Sequence, residues 1–171
     1  KVCLLGISGK SPQDCLDSIE VFRPNIIQAN LNIIDQRAIS IGLLNQCKEK
    51  GIGFVGRTPL CYGFLTGKLS STHQFHEDDH RNHRNRKQIK IWCDSINKIK
   101  IDNEIRNMSN VELALKFCLS NPITSTIPGM MRMTDLTENL QAMEGLLLKP
   151  SILEKLYKYY EANTYTLNIV K

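Results

Sequence analysis

Four short apolar runs, each followed by a helical pattern, recur along this 171-residue chain and constrain its fold more than any other feature. The runs are VCLLGIS at 2–8, NIIQANLNI at 25–33, IGFVGRT at 52–58 and ITSTIPG at 123–129. Strands that alternate with helices argue parallel βαβ units, because a parallel strand pair needs a crossover long enough to hold a helix. The runs are short and mostly apolar on both faces, as buried parallel strands are. Two architectures fit this α/β pattern: an open doubly wound sheet, or part of a (β/α)₈ barrel.

The helix boundaries carry local chemistry. In SPQDCLDSIEVF, Ser11 is placed to cap, Pro12 takes the first helical position, and Leu16, Ile19 and Phe22 fall on one face. Asp35 suits the start of the helix DQRAISIGLLNQCKEKG, and Gly51 its C-terminal stop. Ser109 with Glu112 reads as a capping box for a helix closed before Pro122. A long loop after the third run leads into a helix near 88–100, and two more helical patterns lie at 134–148 and 151–163.

Length and composition fit one domain over 1–171, with 42% hydrophobic and 23% charged residues giving an ordinary globular core. No apolar run is long enough to span a membrane, and no signal-peptide layout opens the chain. A start on a strand without an initiator Met leads us to expect a segment upstream. Six cysteines at 3, 15, 47, 61, 93 and 118 include no CxxC pair, which indicates a reduced, cytoplasmic protein. Much of the net charge of +5 sits in HRNHRNRKQIK at 80–90. Without interleaved aromatics this stretch is a solvated basic loop rather than a nucleic-acid surface. His73, His76, His80 and His83 form two HxxH pairs, but a long polar loop gives no rigid scaffold for zinc, so no metal site is expected.

Each strand candidate ends in polar residues: Ser8, then Gln28 and Asn30, then Arg57 and Thr58, then a Pro-Gly turn. In both architectures ligands bind at the C-terminal ends of the strands, so these tips are candidate site residues. Beyond the third strand, RTPLCYGFLTGK (57–68) brings two glycines, which let backbone N–H groups approach a pyrophosphate, close to the cations Arg57 and Lys68. Further on, Arg132 stands at the start of a helix, an arrangement that suits an anion.

Taken in order, LLGISGK (4–10), IIQANLNIID (26–35), RTPLCYGFLTGK (57–68), FHEDDHR (75–81) and TSTIPGMMRMTDLTENLQA (124–142) resemble the C-terminal half of the aldo-keto reductases. The resemblance covers nearly the whole chain. It implies a (β/α)₈ TIM barrel of which this chain supplies strands five to eight, with a nicotinamide cofactor, NADP(H) in preference to NAD(H), across the C-terminal face. Position by position it implies that Ser8 and Gln28 hold the nicotinamide carboxamide. The family usually follows the serine with asparagine, and here Gly9 stands in its place. The segment that wraps the pyrophosphate corresponds to the loop Pro59-Leu60-Cys61-Tyr62-Gly63-Phe64-Leu65, with Lys68 beyond it and Arg57 before it as the nearby cations. Gly129, Met131 and Arg132 correspond to the turn at the 2′-phosphate, and Glu138 and Asn139 to the adenine site. Asp135 stands where many members carry a second phosphate-binding arginine.

The family's catalytic Asp, Tyr, Lys and His belong to the first half of the barrel, so no catalytic residue is expected in this chain. Two functions follow. The first is an aldehyde or ketone reductase using NAD(P)H, of which this is the cofactor-clamping half, partnered by the missing N-terminal half or a second copy. The second is a non-catalytic truncated or regulatory protein that keeps the cofactor surface. An upstream reading frame carrying four more βα units and the D…Y…K…H set would decide for the first.

Overall fold

The computed structural model describes residues 1–100 and 103–165. Strands β1 (Gly6–Ser8), β2 (Ile26–Asn30), β3 (Gly53–Arg57) and β4 (Ser125–Ile127) make one parallel sheet in the order β1-β2-β3-β4. A doubly wound sheet reverses its strand order partway across, and this one does not. The register sets Ser8 beside Gln28, Gln28 beside Val55 and Val55 beside Ser125, with Asn30, Arg57 and Ile127 forming the next row toward the strand ends.

Helices α1 (Pro12–Phe22), α3 (Leu43–Lys50) and α5 (Asn110–Leu119) pack on β2, β3 and β4 respectively. Period-two alternation decides which strand residues they cover. Ile27, Ala29, Phe54 and Gly56 are buried, and they join Cys15, Ile19, Leu43, Leu44, Cys47, Phe117 and Cys118 in the core. Ile26, Gln28, Asn30, Gly53, Val55 and Arg57 on the alternate positions stay partly or fully exposed. The strands are therefore covered on one face, not on both as their composition suggests. The open face carries the polar residues of the strand tips.

Local chemistry explains most boundaries. Ser11 Oγ accepts from Asp14 N–H at 3.1 Å and Asp14 accepts from Ser11 N–H at 3.0 Å, a reciprocal cap at the start of α1. The buried stripe of α1 is Pro12, Cys15 and Ile19, while Phe22 at its end is exposed. The predicted helix from Asp35 is broken in two, α2 (Arg37–Ser40) and α3, by Gly42 at φ 78°. Asp35 does not cap it; its carboxylate is taken by the Arg37 guanidinium through two bonds of 2.7 Å. Gly51 ends α3 at φ 67°, as expected. Ser109 caps α5, accepting from Glu112 N–H at 3.0 Å, but the Glu112 side chain turns to Lys116 rather than back to the cap.

The loop after β3 passes through short 3₁₀ turns at Cys61–Thr66 and His80–His83 before α4 (Arg86–Ile99). Helices α6 (Met133–Gln141) and α7 (Pro150–Glu161) follow β4. The six cysteines are free thiols. Burial pushes the Cys118 thiol up to about 12 and Cys47 up to about 11, so both act as neutral core residues. Among the described residues no helix is long and apolar enough to cross a membrane, and no group of three or more His, Cys, Asp or Glu is placed to hold a metal.

Phe54 is the largest strand side chain in the covered layer, 1% exposed. Phe54→Ala is expected to cost about 3–5 kcal/mol through lost burial and the cavity left behind. Urea unfolding followed by circular dichroism measures this; a change below about 1 kcal/mol would show that β3 does not anchor the core.

Candidate functional site

At the strand tips one guanidinium ties three elements together. Arg57 donates from Nη1 to Ser8 Oγ at 3.1 Å, from Nη2 to the Gly9 carbonyl at 2.9 Å and from Nε to Asn30 Oδ1 at 2.9 Å. Gln28 Nε2 donates to the same Ser8 oxygen at 3.1 Å. With both lone pairs of Ser8 engaged, its hydroxyl is left as a donor, while Gln28 keeps its carbonyl oxygen as an acceptor. That pairing of one donor with one acceptor matches the needs of a primary carboxamide. The three acceptors of Arg57 are uncharged, so its positive charge is not neutralised there.

Gly9 has a packing reason. A Cβ at this position would lie 2.3 Å from Cys15 Sγ and 3.0 Å from the Ser11 carbonyl oxygen. The asparagine usual in the resembling family cannot stand there while Cys15 fills the space.

Next to Arg57 opens a cavity of about 530 Å³ whose walls include Pro59, Leu60, Gly63, Arg81, Gly129 and Met131. Its rim is tightly turned backbone, with Thr58, Cys61, Tyr62 and Gly63 all at positive φ. The bend is held by the Cys61 N–H on the Thr58 carbonyl at 2.9 Å and by Asn32 Nδ2 on the same oxygen at 2.9 Å. Arg81 was not singled out from the sequence, yet it borders this cavity and the next one. It donates to the Tyr62 carbonyl at 3.1 Å, forks onto Asp79 and lies over the Phe75 ring. The Arg81 guanidinium holds the Asp79 carboxyl well below the usual carboxylate range. FHEDDHR carries the signal in its Asp-x-Arg spacing, but the partner at Tyr62 lies nineteen residues away.

A second cavity, of about 160 Å³, lies between the 66–69 turn and α6. Lys68 Nζ pairs with Glu138 at 2.5 Å and sits 3.8 Å from Asp135. Arg132 donates to Asp135 from Nη2 at 2.9 Å and from Nε at 3.3 Å. The Arg132 guanidinium holds the Asp135 carboxyl down to about 2, so it is charged throughout the neutral range. Asn139 is 5% exposed, lines the same cavity, and its Nδ2 has no hydrogen-bond partner among the described residues. A buried amide donor left unpaired is costly.

The sequence-predicted residues thus fall into three clusters. Ser8, Gln28 and Arg57 share one hydrogen-bond network; Pro59, Leu60, Gly63, Gly129 and Met131 line the larger cavity; Lys68, Arg132, Glu138 and Asn139 border the smaller one. Leu65 is the exception, fully buried in the core and in the wall of neither cavity.

The sequence profile of the aldo/keto reductase family matches residues 1–160. This chain belongs to the aldo/keto reductase family. It is 30% identical over 162 residues to the L-glyceraldehyde 3-phosphate reductase of Escherichia coli, a match covering 85% of this chain and 46% of that protein. It is 26% identical over 147 residues to a probable voltage-gated potassium channel subunit beta of Arabidopsis thaliana, covering 82% and 45% respectively. The chain spans about half the length of the curated relatives it matches. Among solved structures, a glycerol dehydrogenase from Gluconobacter oxydans superposes with a TM-score of 0.73 at 20% identity, over 98% of this chain and 52% of that one. An aldo-keto reductase from Bacillus halodurans in its holo form gives 0.65 at 20% identity, over 94% and 51%. The fold is thus α/β, with a parallel sheet and aldo-keto reductase TIM barrels as its structural neighbours.

The Gly9–Cys15 contact yields a prediction for this family member. Gly9→Ala is expected to destabilise the protein by about 1–3 kcal/mol through overpacking. Adding Cys15→Ala should return part of that loss in a double-mutant cycle read by urea unfolding. Strictly additive effects would show that the two positions do not compete for space.

Proposed function

We propose that this chain is the cofactor-clamping part of an NAD(P)H-dependent oxidoreductase that reduces an aldehyde or ketone by hydride transfer. The observation that carries the reading is the buried Asn139 amide, unpartnered among the described residues, in a cavity bordered by Lys68 and Arg132. An adenine ring offers acceptors to such a donor, and a cofactor phosphate calls for such cations.

Under this reading Ser8 and Gln28 hold the nicotinamide carboxamide, Ser8 as donor and Gln28 as acceptor. The turn with Pro59, Leu60 and Gly63, buttressed by Leu65 from the core, takes the pyrophosphate together with the charges of Arg57 and Arg81. Arg132, beside Gly129 and Met131, meets the 2′-phosphate; Lys68, expected at the pyrophosphate, borders the smaller cavity and joins Arg132 there, and Glu138 and Asn139 meet adenine. Bound in this way, the reduced nicotinamide supplies hydride for a carbonyl carbon. The chain's own residues orient that ring and balance the phosphate charge. The name of the E. coli relative, a reductase of a phosphorylated aldehyde, supports a small carbonyl compound as substrate.

The proposal includes the rest of the barrel. The four strands correspond to strands five to eight, and a first half or a second copy completes the cylinder. In support, among the described residues β1 and β4 each have a strand on one side only. Val2, Leu4 and Leu5 before β1, and Ile127 at the end of β4, are exposed. Unpaired edges flanked by apolar side chains favour association. A reduced cytoplasmic setting fits the buried neutral thiols. Similarity to channel beta subunits favours a second reading, a cofactor-binding regulatory member without turnover of its own.

Two measurements test these readings. In titration calorimetry, Arg132→Ala should weaken NADPH more than NADH by about 1–3 kcal/mol. Equal losses for both would remove Arg132 from the 2′-phosphate role. In an absorbance assay with an aldehyde panel, residues 1–171 alone should oxidise no NADPH, because a positioned acid is worth about 10²–10⁴-fold and none is proposed here. Turnover should appear when a first-half polypeptide is supplied. Steady turnover by the chain alone, lost on Tyr62→Phe, would overturn the clamp reading.

A further inference from the structure

We infer that Asp135 is a specificity-determining residue: it competes with the cofactor's 2′-phosphate for Arg132 and so sets how far the site prefers NADP(H) over NAD(H). The inference rests on the cofactor reading above and adds to it a residue that opposes the phosphate.

The geometry carries it. The Asp135 carboxylate accepts the backbone N–H groups of Met131 and Arg132 at 3.3 and 3.2 Å, as well as two bonds from the Arg132 guanidinium. These are the donors a phosphate would use at the start of α6. The position is therefore already filled by an anion of the protein itself. Charge points the same way. Lys68 and Arg132 face Asp135 and Glu138 across the smaller cavity, two cations against two anions, so a dianionic phosphate meets no net positive charge from these four groups.

The two ends of the Arg132–Asp135 pair differ in freedom. The Arg132 side chain is 67% exposed and that of Asp135 only 20%. An exposed ion pair is weak, so Arg132 can turn to a phosphate. Asp135, fixed by two backbone N–H groups, stays and repels it. A ribose 2′-hydroxyl carries no charge and can donate to the same carboxylate. Asp135 therefore penalises the phosphorylated cofactor while tolerating the other. Asparagine keeps an acceptor for the N–H groups and removes only the charge.

The test compares 2′,5′-ADP with 5′-AMP by titration calorimetry on the purified protein and its variants. Asp135→Asn is expected to tighten 2′,5′-ADP by about tenfold and to change 5′-AMP by less than about twofold. Asp135→Glu, which keeps the charge, should show no such gain, and Arg132→Ala added to Asp135→Asn should abolish it. Circular dichroism of each variant separates loss of fold from loss of affinity. Equal changes for both nucleotides, or a gain in the Glu variant, overturn the role of Asp135 while leaving the cofactor reading intact. Absence of binding for either nucleotide in every folded variant overturns both.

Discussion

The Arg57 guanidinium joins the ends of β1, β2 and β3, and the rest of the candidate site depends on that junction. Parallel pairing brings Ser8, Gln28 and Val55 into one row and Asn30 and Arg57 into the next. Register alone leaves side chains free to choose partners. Arg57 fixes the choice by occupying Ser8 Oγ and Asn30 Oδ1 at once, and its reach to the Gly9 carbonyl requires the chain to turn immediately after β1. That turn is close because Cys15 packs where a side chain at residue 9 would stand. A packing contact under the sheet therefore decides a polar arrangement on top of it.

Farther from the sheet, the cations are held by carboxylates. Arg81 forks onto Asp79, Lys68 meets Glu138, and Arg132 meets Asp135. Arg57 differs, since its acceptors are neutral. Opposite formal charges therefore balance at the α6 end, while the Arg57 charge at the strand tips meets only neutral acceptors.

Much of this was legible in the sequence where the signal was local. Ser11, Pro12, Ser109 and Gly51 act within a few residues of themselves, and their helices begin and end where that chemistry says. The αβ alternation and the family motifs likewise pointed to a parallel sheet. Readings failed where a partner lay elsewhere in space. Two departures are local instead: Asp35 pairs with Arg37 two residues on rather than capping, and Gly42 at φ 78° splits the helix between its flanking patterns. Leu65 sits in a binding motif by sequence and in the core by structure. Arg81 reaches Tyr62, and Lys68 reaches Glu138 seventy residues on, so neither contact could be read from spacing. The fit between Gly9 and Cys15 is three-dimensional and leaves no pattern in the chain.

The central claim is that three separate clusters form one elongated cofactor site. Heteronuclear NMR tests this most directly, by following backbone and side-chain amide signals of the labelled protein during an NADPH titration. The account predicts saturable shifts at the side-chain amides of Gln28 and Asn139, at backbone positions 60–63, and at 129–132, all with one dissociation constant. Shifts confined to a single cluster, or different constants for the two amides, would contradict it.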